Sequence, residues 1–130
     1  MNILFIEDNF DFAYPLIEFA IAMGHKIDHT ENLIDAANKF KEYNYDAVIT
    51  DIHLRKADSS SLTSGLDLVR FIRDKRKSNV IIAITTGLEL LKESDIKEHG
   101  ADIFHYKPLR MGYEAFINEI NDLFLSRQKN

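Results

Sequence analysis

Short apolar runs alternate along the chain with longer segments in which apolar positions recur at helical spacing, the pattern of strands joined by helices. The short runs are Ile3 to Ile6, a weaker Lys26 to His29, Ala47 to Thr50, Val80 to Thr85, and Ile103 to Phe104 with its neighbours. Three of them are continuously apolar and rich in Ile and Val, as parallel strands covered on both faces require. The more polar second run predicts an edge strand. A first helix is predicted over Phe12 to Met23, with Asp11 as N-cap and Gly24 as stop. Others are predicted over Leu33 to Tyr43 and over Leu66 to Lys75, which ends in basic residues. A fourth, Leu88 to His99, has a thin stripe of Leu88, Leu91 and Ile96, with Gly100 as its stop. The fifth, Tyr113 to Ser126, carries the strong stripe Phe116, Ile117, Ile120, Leu123 and Phe124, and Arg127 to Asn130 reads as a frayed tail.

Five strands each followed by a helix give a parallel sheet with right-handed crossovers. The expected class is α/β, a flavodoxin-like (βα)5 three-layer sandwich with strand order 2-1-3-4-5, which binds ligands at the carboxyl ends of its strands. At 130 residues and 45% hydrophobic, residues 1–130 are expected to form one domain with no companion effector domain. Asp and Glu number 21 against 16 Lys and Arg, a net charge of −5, so direct nucleic-acid binding is not expected. The absence of Cys excludes disulfides, thiol nucleophiles and thiolate metal sites. The sequence has no apolar run of membrane-spanning length and no secretory leader pattern, so neither membrane association nor export is expected, and a cytoplasmic location is. The one compositional anomaly is the polar, Ser-rich stretch after the third strand, residues 55–64.

Chemistry-bearing residues gather at the strand ends. The first strand runs into Glu7-Asp8, the third ends in Asp51, the fourth in Thr85-Thr86-Gly87, and the fifth in Lys107-Pro108. The expected strand order brings them together. Close carboxylates repel, and a hard divalent cation such as Mg²⁺ relieves that repulsion. A carboxylate can also attack phosphorus to form an aspartyl-phosphate. The transferred group then needs its charge neutralised, by metal on one side and by an ammonium and a hydroxyl on the other. In this reading Asp51 is the nucleophile, Glu7 and Asp8 hold Mg²⁺, and Lys107 and Thr85 meet the phosphoryl oxygens.

These residues carry a resemblance. The segments "ILFIEDN", "DAVITDIHL", "VIIAITTG" and "GADIFHYKPL", in that order along the whole chain, resemble the response-regulator receiver domains of two-component signalling. The resemblance implies that Asp51 is the phosphorylated aspartate, receiving its phosphoryl group from a histidine kinase or a histidine phosphotransfer protein. It implies metal ligation by Glu7, Asp8, Asp51 and the backbone carbonyl of His53, with Mg²⁺ or Mn²⁺ as the cofactor. It makes Thr85 the switch hydroxyl, followed by Thr86, and Lys107 the phosphate-pairing lysine. Phe104 becomes the aromatic that changes rotamer, and Lys107-Pro108 a cis peptide. Output is then expected from the face formed by the fourth helix, fifth strand and fifth helix, with Leu90, Tyr106 and Tyr113 as contact candidates for an unspecified protein target. The sequence leaves self-association into a homodimer open.

Departures from the family pattern cluster after Asp51. Arg55 stands where the family usually has Pro, and Gly65 comes fourteen residues after Asp51, later than the usual spacing. The extra residues, with Arg55, Ser59, Ser60 and Ser61, are a candidate gating loop. Thr86 is larger than the usual Ala, and His53 is bulky.

The chain is expected to be a phosphoacceptor that assists its own phosphorylation and dephosphorylation rather than an enzyme. A haloacid-dehalogenase-type phosphatase would need a second acid two residues after its nucleophile, and Asp51-Ile52-His53 lacks it. A flavin or nucleotide binder would need a Gly- or Ser-rich loop after the first strand, where "EDNFDF" stands. A phosphorylation-independent pseudo-receiver and a phosphorelay intermediate remain the alternatives. His25 and His29 are too far apart along a strand to share a metal, and His53 and His105 are expected to be solvated.

Overall fold

The computed structural model describes residues 1–52, 65–76, 81–86 and 92–128. Among the described residues ten elements alternate: β1 Asn2–Ile6, α1 Phe10–Ala22, β2 Lys26–Thr30, α2 Leu33–Glu42, β3 Ala47–Asp51, α3 Gly65–Arg76, β4 Ile81–Thr86, α4 Glu93–Glu98, β5 Ile103–Tyr106 and α5 Tyr113–Gln128. All strand pairs are parallel and the sheet order is β2-β1-β3-β4-β5, as the alternation of runs predicts.

Each face of the sheet buries its own core. Ile3, Phe5, Ala47, Ile49 and Ile103 pack under α1 and α5 with Leu16, Phe116, Ile117 and Ile120. Leu4, Ile6, Val48 and Phe104 pack on the other face with Phe40, Leu68, Ile72 and Ile96. Two-sided burial is why β1 and β3 read as unbroken apolar runs. β2, at the edge, alternates exposed and partly covered residues until Thr30.

Most helix bounds shift by a residue or two from the sequence reading, and four of the shifts have a visible cause. Asn9, not Asp11, caps α1: its backbone is extended and its side chain accepts from the Asp11 amide, so the helix starts two residues early and Asp11 falls in the first turn. α2 stops at Glu42 because Tyr43 is already extended. Lys92 is extended as well, so the described part of α4 begins only at Glu93 rather than running through from Leu88; residues 87–91 lie outside the described residues. α5 continues past Ser126 to Gln128, since the expected frayed tail is tied down by Arg127, whose guanidinium lies 2.7 Å from Asp102. Arg73 of α3 takes the other Asp102 oxygen and also donates to the Gly100 carbonyl at 2.7 Å. Gly24 and Gly100, read as helix stops, both have positive φ (89° and 117°).

Tyr45, buried just before β3, donates to Asp28 of β2 at 2.6 Å. Burial first, and the Asp28 carboxylate second, push its phenol well above the ordinary value of 10.0. The folded chain therefore holds this proton more tightly than the unfolded chain. The stability it contributes is complete below pH 10 and is lost as pH rises beyond it. Tyr45→Phe should cost about 1 kcal/mol at neutral pH. Urea titrations of the variant should also show a shallower loss of stability above pH 10 than those of the wild type.

Candidate functional site

The carboxyl ends of β1, β3, β4 and β5 meet in one acidic pocket. Asp51 ends β3 and sits in register with Thr85 of β4, which in turn is in register with His105 of β5. Glu7 and Asp8 follow β1 directly. Glu7, Asp8 and Asp51 each bring a carboxylate oxygen within 4.8 Å of the others. Glu7 is wholly buried and Asp51 nearly so.

Lys107 bridges two of these three carboxylates. Its Nζ lies 2.7 Å from both Glu7 Oε1 and Asp51 Oδ2, and 5.2 Å from the centre of the Phe12 ring. The second Glu7 oxygen accepts from the Asn9 amide at 3.2 Å. Burial raises the Glu7 carboxyl above its ordinary value, although Lys107 pulls the other way. For Lys107 burial works downward, but hydrogen bonds to Asp51 and Glu7 outweigh it and hold the ammonium above its ordinary value.

Thr85 is fully buried, and its hydroxyl has no hydrogen-bond partner among the described residues. A buried unpaired hydroxyl is costly, and such groups concentrate where a ligand is met. Gly65, the first residue of α3, lies against the turn after β3, where its amide donates to the Ile52 carbonyl at 2.9 Å. An added Cβ there would fall 2.9 Å from both the Asp51 carbonyl carbon and the Ile52 Cα, and closer still to the Asp51 carbonyl oxygen.

Of the residues singled out in the sequence, Glu7, Asp8, Asp51, Thr85 and Lys107 converge here. The Lys107-Pro108 peptide is cis. Phe104 belongs to the opposite face, buried beside Ile96 and Ala101 and edge-on to Tyr106 with ring centres 4.9 Å apart. Thr86 is the last residue of β4, paired with Tyr106. His53, Arg55, Ser59, Ser60, Ser61 and Leu90 lie outside the described residues. His105 is not solvated as expected: its Nε2 lies 2.6 Å from Glu119 of α5, and its ring packs edge-on against Phe116. Tyr113, a contact candidate, is committed to packing against Phe12 and Phe19, whereas Tyr106 is exposed. Sequence reasoning missed Asn9, Phe12 and His29, whose Nε2 lies 2.8 Å from the Glu7 carbonyl oxygen. Only Asn9 carries a sequence signal, as a capping residue ahead of an apolar period.

The oxygen-only donor set of Glu7, Asp8 and Asp51 fits a hard cation of the Mg²⁺ or Mn²⁺ kind and offers nothing to a softer metal. No described helix is long and apolar enough to cross a membrane.

Residues 3–114 match the family model described as the response regulator receiver domain. The chain is 27% identical over 121 residues to the two-component response regulator PhoP of Pseudomonas aeruginosa, covering 92% of this chain and 51% of that protein. It thus spans about half the length of that relative. Among solved structures, it matches a CheY-like response regulator receiver domain protein from Methanospirillum hungatei with a TM-score of 0.84 at 18% identity, covering 98% of this chain and 96% of that one. It also matches the response regulator protein TrrA from Thermotoga maritima, solved in complex with Mg²⁺ and BeF, with a TM-score of 0.76 at 29% identity, covering 94% and 97%.

Proposed function

The chain belongs to the response regulator receiver domain family, and on that premise we propose that Asp51 is its phosphoacceptor. A carboxylate oxygen of Asp51 attacks the phosphorus of a phosphohistidine on a partner kinase or phosphotransfer protein. The P–O bond forms as the P–N bond breaks, and the imidazole nitrogen leaves with the electron pair and takes a proton from solvent. The observation that carries this reading is the joint grip of Lys107 on Glu7 and Asp51 at 2.7 Å each, two buried carboxylates clustered with the partly exposed Asp8. Such a pocket holds a nucleophile and a cation nest together. Glu7, Asp8 and Asp51 would hold a divalent cation, whose charge would offset that of the phosphoryl oxygens. Lys107 can turn from the carboxylates to a phosphoryl oxygen, and the Thr85 hydroxyl supplies a donor to another.

The added charge then biases a two-state equilibrium read by a partner protein. The face of α4, β5 and α5 is suited to that role, with a hollow of about 280 Å³ lined by Glu93, Phe104, His105, Tyr106 and Arg110. In this reading the chain is a phosphoacceptor that assists its own turnover rather than an enzyme acting on a separate substrate.

Acetyl phosphate or phosphoramidate with Mg²⁺ should add one phosphoryl group to the intact protein by mass, and Asp51→Asn should abolish the gain. A folded, Mg²⁺-binding chain that shows no gain would favour the pseudo-receiver alternative. Transfer of the phosphoryl group onward to a histidine protein would mark a relay intermediate.

A further inference from the structure

We infer that His29, on the edge strand, is a positioning residue for the acidic pocket, fixing the backbone that presents Glu7 and Asp8 to a divalent cation. The inference rests on the metal-binding reading above.

The β1–β2 ladder ends at the pair Ile6 and Thr30. Beyond it the chain leaves the sheet and carries two carboxylates toward a third, against their mutual repulsion. The Glu7 peptide is nonetheless held on both sides. Its amide donates to the Thr30 carbonyl at 3.0 Å, and His29 Nε2, as N–H, donates to its carbonyl at 2.8 Å. His29 is in register with Phe5, and its ring packs on that residue with centres 5.5 Å apart. Phe10, the first residue of α1, meets the ring edge-on at 6.0 Å. One imidazole therefore links β2, the end of β1 and the start of α1, the three segments that frame the loop from Glu7 to Asn9. Groups that hold metal ligands in place set metal affinity without touching the ion.

Glutamine can place an amide N–H where Nε2 stands, whereas phenylalanine keeps the ring and loses the donor. Mn²⁺ titration of the metal-free protein, followed by the electron paramagnetic resonance of free Mn²⁺, separates the two. His29→Phe should weaken Mn²⁺ binding about tenfold, and His29→Gln should bind nearly as tightly as the wild type, with the two variants melting at similar temperatures without metal. A purely structural role would lower the melting temperature and leave the Mn²⁺ affinity of the folded protein unchanged. Wild-type Mn²⁺ affinity in His29→Phe, or equal weakening in both variants, would overturn the inference while leaving Asp51 phosphorylation standing. A wild-type chain that binds no Mn²⁺ would remove both.

Discussion

Gly65→Ala should melt about 10 °C below the wild type, a loss of roughly 3 kcal/mol for a chain of this size. The cause is contact rather than conformational freedom. The new methyl would drive into the Asp51 peptide, with 2.9 Å to its carbonyl carbon and to the Ile52 Cα. These neighbours are backbone atoms at the end of a central strand whose residues are all buried, and they have nowhere to move. Relief has to come either from lifting the start of α3 or from tilting Asp51, so phosphoryl uptake should fall together with stability. Gly112→Ala is the control, since a Cβ there meets nothing within 4 Å. Equal melting temperatures for the two variants would show that the approach of α3 to β3 is looser than these distances require.

Lys107→Met should slow phosphoryl uptake by Asp51 about 10²- to 10³-fold, the cost of removing one charged donor from a transferring group. It should also destabilise the cation-free protein by about 3 kcal/mol at neutral pH, because two buried carboxylates lose the ammonium they share. The sign of the pH dependence follows from Glu7. Its folded pKa is raised above the ordinary 4.5 by burial even with Lys107 present, so its ionisation opposes folding. Without Lys107 the opposition grows. The variant should therefore recover stability as pH falls from neutrality toward 4.5, and more steeply than the wild type. Added Mg²⁺ should restore part of the loss, and Glu7→Gln in the Lys107→Met background should restore part of it without metal. Urea titrations at pH 5 and pH 7 measure these effects, and parallel stability curves for wild type and variant would contradict the account.

The sheet and the pocket were legible because they rest on period and order. A strand covered on both faces must be apolar along its covered length, and Ile3 to Ile6 of β1 and Ala47 to Ile49 of β3 are. Once five short runs alternate with helices, handed crossovers bring the ends of β1, β3, β4 and β5 together, and Glu7, Asp8, Asp51, Thr85 and Lys107 with them. What stayed hidden depends on choices that residue types do not determine. Asn9 and Asp11 are equally good caps, and only the backbone at Asn9 selects between them. The reading of α4 from Leu88 rests on two leucines and an isoleucine, a weak period that does not reveal the extended Lys92 just before Glu93. Arg127 looked frayed because its partner, Asp102, is distant in sequence, and the same holds for His105 and Glu119. The His29 contact was invisible for a different reason, since its acceptor is a carbonyl that every residue possesses.

The mooring of Asp102 bears on how β5 is held. This residue stands immediately before β5, at the end of the sheet away from the acidic pocket, and its two oxygens are taken by Arg73 of α3 and Arg127 of α5. β5 is the far edge strand, laddered to β4 alone. It is anchored at its start and followed at its finish by Lys107, whose ammonium grips Glu7 and Asp51. The two ends of β5 are thus held by opposite kinds of group, a carboxylate between two guanidiniums at its start and an ammonium between two carboxylates just past its finish, where Tyr106 is exposed.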